Sequence, residues 1–546
     1  MKGGQPAYAS VGLPLHPGVD PMAGKRSTYQ TPRVAIIVPS KKLLHLGAAL
    51  WIQRYGPMQV AQVVREAGYF VRLYNEEIGR RIDPREIALN YDVVGVSAKT
   101  CAITRAETLV RAIKAEARQA NRRVLAVLGG EHASMALGTR IPAVFDIVLP
   151  GEAEQALVDI LELFRAGQID DLKRRPIIPP GQIYQCRTFD HIPDLAIVEG
   201  YDATARSWLF RHFPAAWILK HKQLPYIGFQ GTRGCPFNCS FCPTPKYLHG
   251  RDYRRRDPEK AVAFLTKCTG DYKIKRVIFE DPTAAMPFDP QAHAFFRAIA
   301  ASPVDMRATA LVRPDLCKDT RLLALMQAAG VVNLSIGIES LSDETRRDFN
   351  KQTTGHILAE SIEVFHRFGF SVTGLFIVGY DSESMDSFEH IQGFIDSTGI
   401  EKWRVSPLCQ TPEVPNQFLP PHRFFLWSEF DRFNRQVADY TNGEYVFFFP
   451  KQMKPSELQA GIARFHHKAT DLRATLRFFR QHRRPRAVVQ RIGNNIAQQV
   501  VQRSVADSGY IDMLKALEAP YYRRTRGGWR LKEEQLAERY RQQSMN

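Results

Sequence analysis

The chain has 546 residues, of which 44% are hydrophobic and 24% charged, the usage of an ordinary globular protein with more than one domain. Its apolar runs fall short of the roughly 18–20 residues that cross a bilayer, which excludes a membrane-spanning protein. Its eight cysteines are too few for a disulfide framework. The net charge is +18, and residues 471–546 hold 16 Lys and Arg against 7 Asp and Glu. Such a surface can face nucleic acid, an anionic membrane or an acidic substrate, or it can be a solvated helical face.

Residues 1–32 are rich in Gly and Pro and lack the apolar core of a signal peptide. They predict a flexible leader, and a cytoplasmic location follows as the default expectation. The regular pattern of apolar segments begins at residue 33.

Residues 33–165 alternate short apolar runs with helical periods. The five strand candidates are VAIIVP (34–39), YFVRLYN (69–75), YDVVGVSA (91–98), RVLAVLGG (123–130) and FDIVLPG (145–151). This alternation predicts a doubly wound, Rossmann-like parallel sheet with helices on both faces. Ligands of such sheets bind beyond the carboxyl ends of the strands. The candidate binding residues at these ends are Ser97, Thr100, Gly129, Gly130, Gly151 and Glu152.

A second alternation occupies residues 224–414, after an irregular connector at 166–223. Its six strand candidates are 226–230, 276–280, 306–310, 331–339, 371–379 and 402–408. Six strand–helix units predict a partial (β/α)6 barrel, whose site is built from the loops after the strands. Residues 415–546 then predict a basic, mostly helical C-terminal region after one aromatic strand candidate, EYVFFFP (444–450). The fold class expected for the whole chain is therefore α/β.

Three of the eight cysteines crowd into the run GTRGCPFNCSFCP (231–243), which follows the first barrel strand. The spacing is Cys-x3-Cys-x2-Cys, formed by Cys235, Cys239 and Cys242. Structural zinc wants four protein ligands, commonly from two Cys-x2-Cys pairs, and the chain has no second pair. A [4Fe–4S] cubane normally uses four thiolates, so three would leave one iron open for chemistry.

This cysteine loop resembles that of the radical S-adenosylmethionine (SAM) superfamily. The resemblance implies a [4Fe–4S] cluster on Cys235, Cys239 and Cys242, with the open iron chelated by SAM. One electron from an external flavodoxin- or ferredoxin-like donor would then cleave SAM to methionine and a 5′-deoxyadenosyl radical.

The same resemblance suggests SAM-binding positions at the ends of later barrel strands. In FED (279–281), Glu280 and Asp281 are candidates to bind the SAM amino group, because a carboxylate is a strong hydrogen-bond acceptor for an ammonium group. Glu339 in GIES (337–340) is a candidate for the ribose hydroxyls, with a structural ion pair as the alternative. Gly379 in IVGYDSE (377–383) would let the backbone approach the adenine.

The first domain resembles the cobalamin-binding domain of the radical SAM class that includes the anaerobic magnesium-protoporphyrin ester cyclases and the hopanoid methylases. The residues that carry this likeness are GGEHAS (129–134) and FDIVLPGEAE (145–154). His132 would contact the corrin or cap the following helix. The Asp-x-His-x-x-Gly signature of a histidine ligand to cobalt is absent, since the matching stretch reads VPSKKLLHLG (38–47). Cobalamin would then bind without a histidine ligand, through backbone contacts at Ser97–Thr100, Gly129–Gly130 and Gly151–Glu152, or the sheet would only shape the substrate pocket.

The resemblance favours cobalamin-dependent methylation of an unactivated carbon in a small molecule, apolar or tetrapyrrole. Oxidative cyclisation is the alternative within the class. An RNA methylthiotransferase would need three further cysteines in the first domain, which has only Cys101. The remaining alternative is a non-catalytic cluster-bearing protein of nucleic-acid or membrane surfaces, and no RNA-binding motif supports a nucleic-acid partner.

Overall fold

A computed structural model describes residues 9–10, 31–41, 43, 52–78, 81–135, 141–169, 183–200, 226–351, 355–409, 419–469, 472–482, 485–526 and 528–544. The chain divides into two compact units. The first consists of Met1–Lys41, Trp51–Phe237 and Pro243–Ile274, and the second of Lys42–Leu50, Asn238–Cys242 and Lys275–Asn546. The predicted leader (1–32) and connector (166–223) lie largely outside the described residues.

The first unit has eleven described strands and six described helices. The strands are β1 (Ala9–Ser10), β2 (Val34–Val38), β3 (Ile52–Gln53), β4 (Val71–Asn75), β5 (Val93–Ser97), β6 (Leu125–Gly129), β7 (Ile147–Val148), β8 (Tyr184–Gln185), β9 (Tyr226–Phe229), β10 (Thr232–Arg233) and β11 (Arg254–Arg255). The helices are α1 (Tyr55–Glu66), α2 (Pro84–Asn90), α3 (Ile103–Gln119), α4 (Glu131–Met135), α5 (Glu154–Arg165) and α6 (Pro258–Gly270).

The central sheet of the first unit is parallel, in the order β4-β2-β5-β6-β7. All five residues of β2 are buried, as expected for a strand covered on both faces. In chain order the arrangement is 2-1-3-4-5, so the direction of winding reverses between β2 and β5. The carboxyl ends of these two strands therefore flank the crevice where ligands of such sheets bind.

All five strands predicted for this sheet are confirmed, but the last is shorter than expected. β7 covers only Ile147–Val148 of the predicted 145–151. Pro150 has no N–H to donate to a ladder, and Gly151 adopts a left-handed φ of 86°. The chain therefore turns away from the sheet at this point.

The second unit contains five consecutive parallel strands and a C-terminal helical region. The strands, with a final hairpin, are β12 (Arg276–Phe279), β13 (Arg307–Val312), β14 (Val331–Glu339), β15 (Ser371–Val378), β16 (Lys402–Pro407), β17 (Tyr522–Thr525) and β18 (Gly528–Leu531). The helices are α7 (Pro290–Ala300), α8 (Thr320–Ala328), α9 (Asp343–Asp348), α10 (Gly355–Arg367), α11 (Ser387–Thr398), α12 (Trp427–Asp431), α13 (Pro455–Ala469), α14 (Leu472–His482), α15 (Pro485–Asp507), α16 (Tyr510–Glu518) and α17 (Glu533–Ser544).

Strands β12 to β16 pair in chain order, each parallel to the next. With β9 they account for all six predicted barrel strands, so the predicted fold class is confirmed. Local sequence sets the helix starts: the Asp-Pro pairs at 83–84, 257–258 and 289–290 each place a capping carboxylate before a proline in the first turn. Because the strands are parallel, the residues that follow them lie at one edge of the sheet.

The free edge of β16 is covered by the C-terminal helices. Gln498 of α15 donates from Nε2 to the carbonyl oxygen of Trp403 at 3.1 Å. His466 of α13 has its Nε2 3.3 Å from the carbonyl oxygen of Val405. These side chains occupy backbone acceptors that an exposed strand edge would offer to another chain.

The strand predicted at 444–450 is wrong. Its only ladder contact among the described residues is an isolated bridge between Phe424 and Phe448. Two backbone hydrogen bonds accompany this bridge, from Phe425 N to Phe447 O and from Phe449 N to Arg423 O. Side chains satisfy Val446 at both ends: its N donates to Gln459 Oε1, and its carbonyl oxygen accepts from the Tyr510 hydroxyl. The aromatic side chains of this segment are buried in the C-terminal core, so they are packing residues and give no sign of an apolar substrate. The hairpin β17–β18 was not expected from the sequence.

None of the helices that the structure describes is both long and apolar enough to cross a membrane.

Candidate functional site

The first part of the cysteine loop is fixed by backbone contacts within the first unit. β10 and β11 pair antiparallel, so the chain leaves β10 into the loop and returns through β11. Gly234 has a φ of 80°, and a Cβ there would lie 1.9 Å from the carbonyl oxygen of Asp252, so only glycine fits. Cys235 N donates to the carbonyl oxygen of Gly250 at 3.1 Å. The position of Cys235 is thus set by two neighbouring backbone segments.

A buried cluster of charges holds β10 and β11 against the end of the first sheet. The Glu152 carboxylate lies 2.6 Å from Arg254 Nη2, 3.3 Å from Arg233 Nη1 and 3.2 Å from His249 Nδ1. Glu154 adds a second carboxylate, 2.5 Å from Arg233 Nη2. Burial by itself would raise the pKa of Glu152, but Arg233, His249 and Arg254 hold that pKa well below its ordinary value. Glu152 is therefore a buried carboxylate that pairs with the strands flanking the cysteine loop.

The second part of the loop, Asn238–Cys242, packs within the second unit on the chain after α9. Ser240 N donates to the carbonyl oxygen of Phe349 at 3.0 Å, and Asn350 Nδ2 donates to the carbonyl oxygen of Asn238 at 2.9 Å. The rings of Phe241 and Phe349 lie 5.0 Å apart. Phe241, the aromatic residue before the last cysteine, is thus an anchor for the loop.

The three cysteines have the chemistry that an iron–sulfur cluster requires. All are free thiols and all are partly exposed. Burial raises the pKa of the Cys239 thiol, and the nearby Lys351 ammonium opposes this rise. Among the side chains that the structure describes, no three His, Cys, Asp or Glu residues are arranged together as a metal site. The donor set fits a cluster, and the ligand assignment stays a prediction from the spacing.

The candidate SAM residues occupy the carboxyl ends of the barrel strands as expected. Glu280 is half-buried and Asp281 is buried, directly after β12. Glu339 ends β14 with a left-handed φ of 64°. Its carboxylate pairs with Lys351 Nζ at 2.7 Å. This pair lies over Gly337, where a Cβ would come within 2.3 Å of Glu339 Oε1. The ion-pair alternative for Glu339 therefore has an identified partner.

Glu383 was missed by the sequence analysis, although it ends the IVGYDSE run. One carboxylate oxygen accepts from Ser340 Oγ at 2.8 Å, and the other accepts from the N–H groups of Gly379 and Tyr380. It thereby ties the end of β14 to the end of β15. Burial raises the pKa of Glu383 to about 7. Gly379 itself has a φ of 100°, and a Cβ there would lie 2.5 Å from Leu458.

The candidate cobalamin residues of β5 and β6 come together at the carboxyl edge of the first sheet. His132 is buried, with its Nδ1 3.2 Å from Thr100 Oγ1. Gly130 has a φ of 84°, and a Cβ there would lie 3.0 Å from Ser97 Oγ. Ala98 N donates to the carbonyl oxygen of Gly129 at 3.1 Å. Five of the seven predicted residues thus form one compact group with partly exposed backbone: Ser97, Thr100, Gly129, Gly130 and His132.

The remaining two candidates differ from this group. Gly151 N donates to Ser134 Oγ at 2.7 Å, and Ser134 follows the Gly129–Gly130 turn, so Gly151 lies beside the group. The carboxylate of Glu152 forms ion pairs with Arg233 of β10 and Arg254 of β11. A contact of Glu152 with a cofactor would have to use its backbone.

Two ion pairs at the winding reversal were also missed. Lys41 follows β2, and its Nζ lies 2.8 Å from Glu77 Oε1. Burial lowers the pKa of Lys41. Lys99 follows β5 and lies 3.5 Å from Glu131. The carboxyl ends of β2 and β5 are therefore each followed by a lysine that is paired with a carboxylate.

Two family models match the chain in the order of its two predicted domains. The B12 binding domain matches residues 52–161, and the radical SAM superfamily matches residues 229–395.

Several curated proteins are similar to this chain. The anaerobic magnesium-protoporphyrin IX monomethyl ester cyclase of Cereibacter sphaeroides is 25% identical over 463 residues, which are 79% of this chain and 69% of that protein. The bacteriochlorophyllide d C-12(1)-methyltransferase of Chlorobaculum tepidum is 24% identical, over 69% of this chain and 77% of that protein. The hopanoid C-3 methylase of Methylococcus capsulatus is 24% identical, over 62% and 63%.

Two solved structures share the fold. The radical SAM methyltransferase TsrM of Kitasatospora setae, with tryptophan and a SAM analogue bound, superposes with a TM-score of 0.55 at 13% identity, over 73% of this chain and 76% of that one. The cobalamin-dependent radical SAM enzyme OxsB, with aqua-cobalamin bound, superposes with a TM-score of 0.54 at 14% identity, over 68% and 53%. At such identities the likeness establishes the fold alone.

The buried charge cluster can be tested with Glu152→Gln. The substitution removes the buried carboxylate that pairs with Arg254 and leaves the buried Arg233 with Glu154 alone, so we expect the free energy of unfolding to fall by about 3–5 kcal/mol. Glu131→Gln is the matched control, because it breaks the largely exposed Lys99 pair and should cost less than about 1 kcal/mol. Urea denaturation of the two variants measures both values. Equal losses of stability would contradict a buried, structurally important carboxylate at Glu152.

Glu383 gives a prediction about pH. Its folded pKa of about 7 lies above the ordinary 4.5, so its contribution to stability is complete below pH 4.5 and is lost as the pH rises through 7. Glu383→Gln removes the titration while it keeps an acceptor for the backbone N–H groups and a polar partner for Ser340. Between about pH 5 and pH 9 we expect wild type to lose about 1–3 kcal/mol relative to the variant. Parallel pH profiles of unfolding for the two proteins would refute this.

Proposed function

We propose that this chain, which belongs to the radical SAM superfamily and to its class with an N-terminal B12-binding domain, methylates an unactivated carbon of a small molecule. It is a cobalamin-dependent radical SAM enzyme, and its cofactors are SAM, a [4Fe–4S] cluster and cobalamin. The observation that carries the proposal is the Cys-x3-Cys-x2-Cys loop inside a radical SAM domain that follows a B12-binding domain.

The proposed cluster ligands are Cys235, Cys239 and Cys242. When bound, the cluster and cobalamin supply the electron that cleaves SAM and the carrier of the methyl group. The chain's own contribution is to fix the loop. Gly234 and the β10–β11 pair fix its start, and Ser240 and Phe241 fix its end on the segment after α9. Because each part of the loop is already ordered within its own unit, its thiolates need no further ordering when the cluster assembles.

The proposed SAM contacts lie at the strand ends of the second unit. Glu280 and Asp281 are the candidates for the SAM ammonium, because they follow β12 and carry negative charge. Glu339 can accept from ribose hydroxyls with the oxygen that Lys351 does not hold. Glu383 acts as a positioning residue, since it orders the backbone of Gly379 and Tyr380 beside the end of β14.

The proposed cobalamin site is the carboxyl edge of β5, β6 and β7, next to the winding reversal between β2 and β5. Its residues are Ser97, Thr100, Gly129, Gly130, His132 and Gly151, with the backbone of Glu152. His132 is buried and hydrogen-bonded to Thr100, so its role is to hold the Thr100 turn. His45, in the stretch that replaces the cobalt-ligand signature, lies outside the described residues. Binding without a histidine ligand to cobalt is the reading that these positions favour.

Methyl transfer is favoured over cyclisation by the balance of the relatives. Four of the similar proteins carry names of methyltransferases or methylases that act on bacteriochlorophyllides or hopanoids. The magnesium-protoporphyrin cyclases are the specific reason to keep oxidative cyclisation as the second candidate. Tetrapyrroles and polycyclic lipids are the substrate classes that these relatives suggest.

A non-catalytic nucleic-acid function has lost its main support. Such a function would use the aromatic residues among the arginines of the basic tail, Tyr521, Tyr522, Trp529 and Tyr540, as a stacking surface. Tyr522 is buried and donates its hydroxyl to the carbonyl oxygen of Pro450 at 2.6 Å. Trp529 is covered by Lys454, 3.6 Å from its ring centroid, and donates to Glu457. Two of these rings are therefore engaged within the protein.

The setting we propose follows from the cysteine chemistry. Free thiols that assemble a cluster require a reducing compartment, which is the cytoplasm. A flavodoxin- or ferredoxin-like protein there would supply the electron.

The domain limits we propose are 1–32 for the leader, 33–165 for the cobalamin domain, 166–223 for the connector, 224–414 for the radical SAM barrel and 415–546 for the C-terminal region.

The experiment is an anaerobic reconstitution of the full chain with iron, sulfide and hydroxocobalamin. We expect about four irons and one corrin per chain, and release of 5′-deoxyadenosine that depends on a reductant. Cys239→Ala removes one of three ligands and should abolish that release. Cys268→Ala removes a thiol buried in α6 and is the matched control, with activity near wild type. Normal 5′-deoxyadenosine release by Cys239→Ala would sink the ligand assignment.

Methylation is distinguished from cyclisation by SAM that carries a deuterated methyl group. Transfer of the label to a tetrapyrrole or polycyclic lipid substrate is the expected result. Substrate oxidation without the label would replace methyl transfer with cyclisation. Iron incorporation and SAM cleavage without bound corrin would overturn the cobalamin site proposed at the carboxyl edge of β5, β6 and β7.

A further inference from the structure

Helices α14 and α15 each bury one face against the last strand of the barrel and α11. The Arg491 guanidinium of α15 is fully buried and lies 4.6 Å from the ring centroid of Trp403 and 4.7 Å from that of Phe478. His482 of α14 has its Nε2 2.9 Å from the carbonyl oxygen of Asp396. Gln498, two turns after Arg491, bonds the edge of β16. These contacts define the inner face of both helices.

The opposite face of α15 is also apolar, but it is exposed. Its side chains are Val489, Ile492, Ile496 and Val500, each between 41% and 70% exposed. Residues three or four apart share one helix face, so these four side chains form one row along the helix. Residues two apart lie on nearly opposite faces, so Arg491 and Gln498, two residues after Val489 and Ile496, point the other way. It extends along roughly 16 Å of the helix axis. A helix that is apolar on both faces normally has both faces covered.

Helix α14 adds two further exposed apolar side chains, Leu476 and Phe479, one turn apart. Phe478, which lies between these two residues in the sequence, is buried. We call these six residues of α14 and α15 the outer stripe. Exposed apolar side chains that recur at helical spacing are a mark of an interaction surface, whereas single ones are ordinary.

The stretch of sequence that contains the outer stripe carries charge of one sign. From residue 472 to residue 506 the sequence holds eight arginines and no Asp, Glu or Lys. Arg480 and Arg503 are exposed, whereas Arg491 is buried on the inner face. Apolar side chains with arginine and without carboxylates are the composition that binds an anionic lipid surface, with the apolar groups in the acyl boundary and guanidinium groups on phosphates.

We propose that the outer stripe docks this enzyme on an anionic lipid surface. A second copy of the chain would bring the same arginine-rich patch against itself, because a twofold interface pairs identical surfaces, and like charges would repel. An acidic redox partner would neutralise the arginines, but such transient contacts are small and wet and do not need a row of aliphatic side chains. A lipid surface matches both the charge and the apolar row.

The test is co-sedimentation of the full chain with vesicles of phosphatidylcholine alone or with added phosphatidylglycerol. We expect binding only to the anionic vesicles, and weaker binding as the salt concentration rises. The combined variant Val489→Gln, Ile492→Gln, Ile496→Gln and Val500→Gln should reduce the bound fraction at least about tenfold, because it removes the apolar contribution while it keeps helix propensity and charge.

The matched control is Leu89→Gln with Phe433→Gln, two apolar side chains of similar exposure outside the outer stripe. It should bind like wild type, and unchanged circular dichroism of both variants shows that they fold. The proposal is overturned if wild type binds anionic and neutral vesicles equally weakly, or if the quadruple variant binds as well as wild type. Sedimentation that shows a dimer which the quadruple variant dissociates would assign the stripe to a second copy instead.

Discussion

The buried carboxylate of Glu152, with the guanidinium groups of Arg233 and Arg254, constrains the part of the first unit where the cysteine loop begins. Each buried ion costs several kcal/mol unless it is paired and hydrogen-bonded, so this cluster holds together only in one arrangement. Glu152 follows the last strand of the first sheet, whereas the two arginines belong to the strands before and after the loop. The cluster therefore makes the end of the cobalamin-type sheet and the base of the cysteine loop one polar assembly, and a change in either is felt by the other.

The second unit uses carboxylates in the same way at the ends of its strands. Glu383 joins the chain after β14 to the chain after β15, and Glu339 pairs with Lys351, close to the segment that anchors Phe241. Positive φ values at Glu339 and Gly379 turn the chain sharply at the strand ends. Short polar contacts thus order the backbone at this edge of the sheet, which is where we propose that SAM binds.

Much of the fold could be predicted because it depends on local pattern. Short apolar runs at regular spacing predict the parallel strands, which are confirmed. Three cysteines within eight residues predict a cluster site without any knowledge of tertiary contacts, and that assignment stays a prediction. The segment 444–450 failed because its backbone partners, Gln459 and Tyr510, come from distant helices that local pattern cannot reveal. The pairing of the Glu152 side chain with Arg233 and Arg254 could not be foreseen, because these residues are distant in the sequence. Glu383 was overlooked because its hydrogen bonds to Ser340 and Gly379 exist only after folding.

We propose that three cysteines hold a cluster with one iron open to SAM. Electron paramagnetic resonance of the reconstituted, reduced protein tests this arrangement most directly, with spectra recorded before and after SAM is added. We expect a [4Fe–4S]⁺ signal whose g-values shift on SAM addition, because SAM would bind the open iron. A reduced cluster whose spectrum is unchanged by saturating SAM would show that no iron is open to it.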